Sequence, residues 1–179
     1  FYSIATQSTG PEFTSNLLII FGLMSLGIAV PFIILQEDYK RLLAYSSVEH
    51  MGIIALGIGF GGVYGIFGAI LHMFNHAMTK SLMFFSVGNV LLKHGTKEID
   101  KVSGIVKTMP VTGAILLIGG LAITGSPPFS IFISEFTILS AGFLQGHVIA
   151  SVLFLLFIIM IFAGFFYTLT KMTFGIPKP

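Results

Sequence analysis

Long apolar runs separated by short polar breaks set the pattern of this chain. Five stretches reach the roughly 20 mainly apolar residues that a bilayer-crossing helix needs, at residues 16–36, 42–62, 64–92, 110–143 and 147–170. The third and fourth exceed a straight crossing, so tilt, a protruding end or an interruption is expected. In the fourth, Gly125-Ser126-Pro127-Pro128 removes two backbone donors and obstructs the preceding turn, which predicts two half-helices. The expected fold is an all-α integral membrane domain over residues 1–179, with five transmembrane helices of which the fourth is broken. Residues 93–109 form the one sizeable loop, where the stretch 96–101 suits a short surface helix. Pro31 is expected to kink the first span, and Gly57, Gly61, Gly65 and Gly68 to permit close helix approach.

Charge gives these spans a direction. Lys40 and Arg41 follow the first span, Lys93, Lys97, Lys101 and Lys107 the third, and Lys171 and Lys178 the fifth. Under alternating crossings all three places lie on one side. The opposite side, formed by residues 1–15, the Gly61-Gly62-Val63 turn and the link before His147, holds no Lys or Arg. Short loops rich in Lys and Arg stay in the cytoplasm, so the N-terminus is expected outside and the C-terminus in the cytoplasm, in a bacterial or archaeal cell membrane.

The composition narrows the chemistry. The chain is 55% hydrophobic and 9% charged, far below the roughly 25% charge of a soluble domain. It has no Cys, which excludes a disulfide framework, a thiolate metal site, an iron–sulfur cluster and covalently attached haem c within the chain. Its formal charge of +2 is too small and scattered for nucleic-acid binding. No signal peptide is evident. The start at Phe1 reads as a piece of a longer polypeptide.

Against this background the buried titratable residues need a reason, because each costs roughly 2.5–3.5 kcal/mol near the bilayer centre. His72, His76 and Lys80 follow i, i+4, i+8 spacing, within roughly 80° of arc and about 12 Å of axis. Asn75 and Thr79 add polarity beside them. A water-linked row of His and Lys passes protons in small free-energy steps, whereas a single membrane His more often closes an interhelical hydrogen bond. Glu135 follows the Pro127-Pro128 break, where broken helices expose backbone groups near the midplane. Glu49 and His50, beside Ser46 and Ser47, are secondary candidates. They point about 100° apart, and the position of His50, two to three turns from Lys40-Arg41, suits a hydrated funnel. A bis-His haem would need His50 as the ligand opposite the third span.

These residues carry a resemblance. The runs Asp38-Tyr39-Lys40-Arg41-Leu42-Leu43-Ala44-Tyr45-Ser46-Ser47, His50-Met51-Gly52, His72 to Lys80-Ser81, and Gly125 to Phe129 with Glu135-Phe136 resemble the antiporter-like membrane subunits of complex I (NADH dehydrogenase), multi-subunit cation/proton antiporters and energy-converting hydrogenases. With Glu49 in its motif, the chain looks most like the branch of the hydrogenase-4 F subunit and formate hydrogenlyase-type complexes. The resemblance implies two inverted five-helix repeats in a protein of about fourteen spans, of which this chain matches the second. It also implies that His72, His76 and Lys80 lie on a central hydrated axis and that Glu135 connects that axis to the exit side. The expected function is proton or sodium translocation by a non-catalytic subunit, with other membrane subunits and a peripheral hydrogenase or dehydrogenase arm as partners. No cofactor, metal or redox chemistry is expected in this chain. A subunit of a stand-alone cation/proton antiporter and a haem-binding membrane anchor are the alternatives.

Overall fold

The computed structural model describes residues 2–176. Lys178, counted above on the cytoplasmic side, lies outside the described residues. Among those described the chain is helical: α1 (Tyr2–Thr9), α2 (Pro11–Ile34), α3 (Tyr39–Phe60), α4 (Gly62–His94), α5 (Ile105–Thr108), α6 (Pro110–Ile123), α7 (Ser130–Leu144) and α8 (Val148–Thr173). Helices α2, α3 and α8 are long and apolar enough to cross a membrane. Helix α4 is longer, at 33 residues, but its polar row lowers its hydropathy. Helices α6 and α7 are shorter apolar helices of 14 and 15 residues.

Local chemistry explains the boundaries. Gly10 adopts φ 90° and Pro11 occupies the first turn of α2, where its missing N–H is harmless; α2 therefore begins five residues before the expected span, and α1 precedes it. Pro31 falls in the last turn of α2. The turn from α3 to α4 rests on Gly61 (φ 70°) and Gly62 (φ 64°), which L side chains rarely match. Gly95 (φ 65°) ends α4 in the left-handed conformation common at helix C-termini. The loop expected to form a surface helix at 96–101 instead makes a 3₁₀ turn at Ile99–Lys101, and Glu98 pairs with Asp38 in an isolated antiparallel bridge. Backbone hydrogen bonds from Tyr39 N–H to Lys97 O and from Ile99 N–H to Glu37 O hold that bridge.

The helices pack with apolar groups outward and polar groups inward. Helix α3 lies against α2 and α4, α4 also contacts α6 and α7, and α8 contacts α2, α6 and α7. Leu26, Ile33, Leu43, Ile53, Leu56, Ile131, Ile138, Phe154 and Phe165 fill the centre, while Phe21, Met24, Ile28, Phe85, Ile149 and Ile159 are exposed. Glu49, His50, His72, Asn75, His76, Lys80, Ser134 and Glu135 are all buried. This arrangement matches a hydrocarbon solvent.

Close approach depends on small residues. A Cβ on Gly65 would lie 2.5 Å from the Gly57 carbonyl oxygen, and a Cβ on either Gly22 or Gly52 would lie 2.9 Å from the other's carbonyl oxygen across α2 and α3. Gly68 likewise meets Ile138 of α7. Gly61 has open space around it, so its contribution is turn conformation and not packing.

Two outcomes follow. Gly65→Val forces α3 from α4 against unyielding backbone; overpacking costs about 1–3 kcal/mol, so a lowered unfolding temperature in detergent is expected. Asp38 caps α3 by accepting from Lys40 N–H and Arg41 N–H and pairs with Lys97 at 3.2 Å. Burial pushes its carboxyl up, but those backbone N–H groups and the Lys97 ammonium outweigh burial and hold it below the ordinary carboxylate value. Its contribution is therefore full above about pH 4 and disappears as pH falls through the lowered folded value. Asp38→Ala should lose about 0.5–2 kcal/mol at neutral pH and progressively less in acid, measured by thermal unfolding across pH.

Candidate functional site: a buried histidine–lysine–glutamate row

The face of α4 carrying His72, His76 and Lys80 turns into the protein, where α3 and α7 complete it. Seven groups, Glu49, His50, His72, His76, Lys80, Ser134 and Glu135, are 0–8% exposed. His50 Nδ1 lies 2.9 Å from His72 Nε2, and His72 Nδ1 lies 2.9 Å from Ser134 Oγ. The His50 and His76 rings approach to 4.3 Å between centroids. Four groups from three helices thus form one continuous polar strand.

Lys80 sits at one end of that strand. Its Nζ donates to the Leu43 carbonyl and, at 2.6 Å, to Ser46 Oγ, with the Phe84 ring 5.9 Å away. These partners replace the water an ammonium would otherwise keep. Glu49 and Lys80 attract one another, yet no salt bridge joins them among the described residues. Without a closed ion pair, a proton leaving Lys80 does not have to break one.

Glu135 lies where the helix break places it. It makes no cap on α7. A carboxylate oxygen of Glu135 and a ring nitrogen each of His50 and His72 all fall within 4.8 Å of one another. Gly125, at φ 68°, leaves the room: a Cβ there would overlap Glu135 Oε2. The carboxyl also borders a cavity of about 370 Å³ lined by Thr124, Gly125, Phe132, Phe136 and residues of α8. Asn75 Nδ2 donates to the Ser130 carbonyl at 2.9 Å and ties the row to the first turn of α7.

Two differences from the sequence reading have physical causes. His50, considered above for a hydrated funnel, is fully buried at 0% exposure, and α3 directs it to His72 while Glu49, about 100° away, is attracted to Lys80. Ser134 was not singled out at all. A serine in an apolar helix commonly bonds its own preceding turn, as Ser134 does to Ile131 O at 2.7 Å, and nothing local marks its second bond to His72.

Comparison with known proteins identifies the family and the fold. Residues 4–165 match the family model described as NADH:quinone oxidoreductase/Mrp antiporter, TM. The hydrogenase-4 component F homolog of Methylacidiphilum infernorum is 39% identical over 162 residues, which cover 90% of this chain and 34% of that protein. Respiratory complex I from Thermus thermophilus contains a chain that superposes with a TM-score of 0.85 and 27% identity, over 95% of this chain and 36% of its own length. The Mrp complex from Dietzia sp. gives a TM-score of 0.87 at 22% identity, over 94% and 32%, which speaks to the fold. Both neighbours belong to multi-subunit membrane complexes. The chain spans about a third of the length of the relatives it matches. It belongs to the NADH:quinone oxidoreductase/Mrp antiporter family of membrane proteins.

Proposed function

We propose that this chain is part of a non-catalytic membrane subunit that moves protons or sodium ions, within a hydrogenase or NADH:quinone oxidoreductase-like complex whose redox chemistry resides in other subunits. The observation that carries the reading is the buried row in which His76, His50, His72 and Ser134 lie in contact, with Glu135 beside it and Lys80 one turn beyond His76 on α4. Such a strand is costly in hydrocarbon, and a purely structural role would need only closed pairs. Here His50 Nε2 and His76 Nδ1 are buried without hydrogen bonds, which suits groups that take up and release protons. The similarity to a hydrogenase-4 component F homolog and the Glu49 motif favour the redox-linked setting over a stand-alone antiporter.

In this reading the five predicted spans form one repeat of an inverted-repeat transporter. The N-terminus lies outside and the C-terminus in the cytoplasm of a bacterial or archaeal cell membrane; the lysine distribution supports that orientation. His76 and Lys80 also line a surface pocket beside Phe84 and Phe85.

The test is substitution within the intact complex. Lys80→Ala and Glu135→Gln should each reduce ion translocation at least about tenfold at normal assembly and redox turnover partners, measured with a pH- or potential-sensitive dye; unchanged pumping would remove the roles assigned to them. Ser134→Ala strands the His72 Nδ1–H without an acceptor, a loss of about 1–3 kcal/mol for a buried group. It should slow translocation while Ser134→Thr, which retains the hydroxyl, restores most of it.

A further inference from the structure

His50 Nδ1 and His72 Nε2 face each other at 2.9 Å in the buried centre of the row, a contact that holds either one proton or one metal ion. Ser134 Oγ donates to Ile131 O, so toward His72 it acts as an acceptor and calls for a proton on His72 Nδ1. On the far side, the ring of His50 lies beside the Ile123 carbonyl. Ile123 is the last residue of α6, and the residue four positions on is Pro127, which has no N–H to offer that carbonyl. The helix break therefore leaves an open acceptor near His50, whose buried Nε2 forms no hydrogen bond.

With outward protons on both rings, His50 Nδ1 and His72 Nε2 present lone pairs to each other at 2.9 Å. Two lone pairs at that distance repel unless something positive lies between them. With the proton of His50 on Nδ1 instead, that ring donates to His72 Nε2 and its Nε2 stays without a partner. Either way the inner contact holds one proton, shared by the two imidazoles. A ring nitrogen of each histidine and a Glu135 carboxylate oxygen lie within 4.8 Å of one another, and His₂Glu is a donor set that suits a divalent transition metal. The bond between His72 Nδ1 and Ser134 Oγ is the kind of orienting contact that metal-ligating histidines make through their second nitrogen.

We propose that His50 Nδ1, His72 Nε2 and Glu135 form a binding site for a divalent transition-metal cation of the Zn²⁺ type, which replaces the proton shared by the two imidazoles. Tetrahedral zinc with bonds of about 2.0–2.1 Å separates its ligands by about 3.3 Å. The imidazoles need to part by about 0.4 Å from their present contact, and the Glu135 side chain, bordered by Gly125 and the cavity, has space to close in. On binding, the Zn²⁺ ion takes both inner lone pairs and displaces the proton that lay between them, so the metal and that proton exclude each other at one step of the path.

The metal is read directly, so the site can fail its test while the transport reading stands, and the reverse. The full-length protein in its membrane complex is incubated with Zn²⁺ alone, freed of excess metal, and measured for zinc content and zinc-edge X-ray absorption. One zinc per copy is expected, ligated by two imidazole nitrogens and carboxylate oxygen at about 2.0–2.2 Å. His50→Gln and the near-isosteric Glu135→Gln should each weaken retention by about tenfold or more, whereas His94→Gln and His147→Gln should leave it unchanged. Assembly of each variant is checked by size-exclusion chromatography. Zinc absent from the wild-type complex, a spectrum lacking two imidazoles, or retention that survives both His50→Gln and Glu135→Gln would each overturn the site.

Discussion

Inside a bilayer a titratable side chain has no water to fall back on, so whatever satisfies it must come from another helix. That requirement organises this molecule. Lys80 finds the Leu43 carbonyl and Ser46 on α3, His72 finds His50 on α3 and Ser134 on α7, and Asn75 finds the start of α7. These bonds are short-range, so α3, α4 and α7 have to approach closely along the row. The glycine contacts, Gly57 with Gly65 and Gly68 with Ile138, make that approach possible. Packing and polarity are two sides of one arrangement.

The helix break serves the same arrangement in two ways. It ends α6 at Ile123 and starts α7 at Ser130, which leaves backbone groups unpaired within the helical ladder and makes the Ile123 carbonyl available to His50. It also gives Gly125 a left-handed conformation next to the Glu135 carboxyl. A continuous helix would cover both. The prolines therefore shape the local electrostatics as much as they interrupt the span, and the substitution of one neighbour, such as a side chain at Gly125, would press directly on the carboxyl.

The loop between α4 and α6 illustrates a different use of charge. Lys97 pairs with Asp38, Lys101 with Glu98, and Lys171 with Asp100, so the charged residues of the loop tie it to the ends of α3 and α8. Exposed pairs of this kind contribute little stability individually; Asp38 differs because it is also the cap of α3 and is held by backbone N–H groups.

What the sequence determined by itself was everything governed by local periodicity. Apolar runs marked the helices, Gly125 to Pro128 marked the break, and i, i+4, i+8 spacing placed His72, His76 and Lys80 on one face, because rise and rotation per residue are properties of a single helix. The short α1 and the start of α2 at Pro11 escaped that reading, since a helix outside the longest apolar run leaves no strong hydropathy signal. What only the tertiary structure decided was which face met which. His50 could not be matched to His72, Ser134 to His72, or the Ile123 carbonyl to His50 from spacing, because those contacts join residues 22, 62 and more positions apart. Their distances depend on how closely the helix backbones pack. A hydrogen bond is made or lost over less than an ångström, and no pattern along one chain carries that precision across three helices.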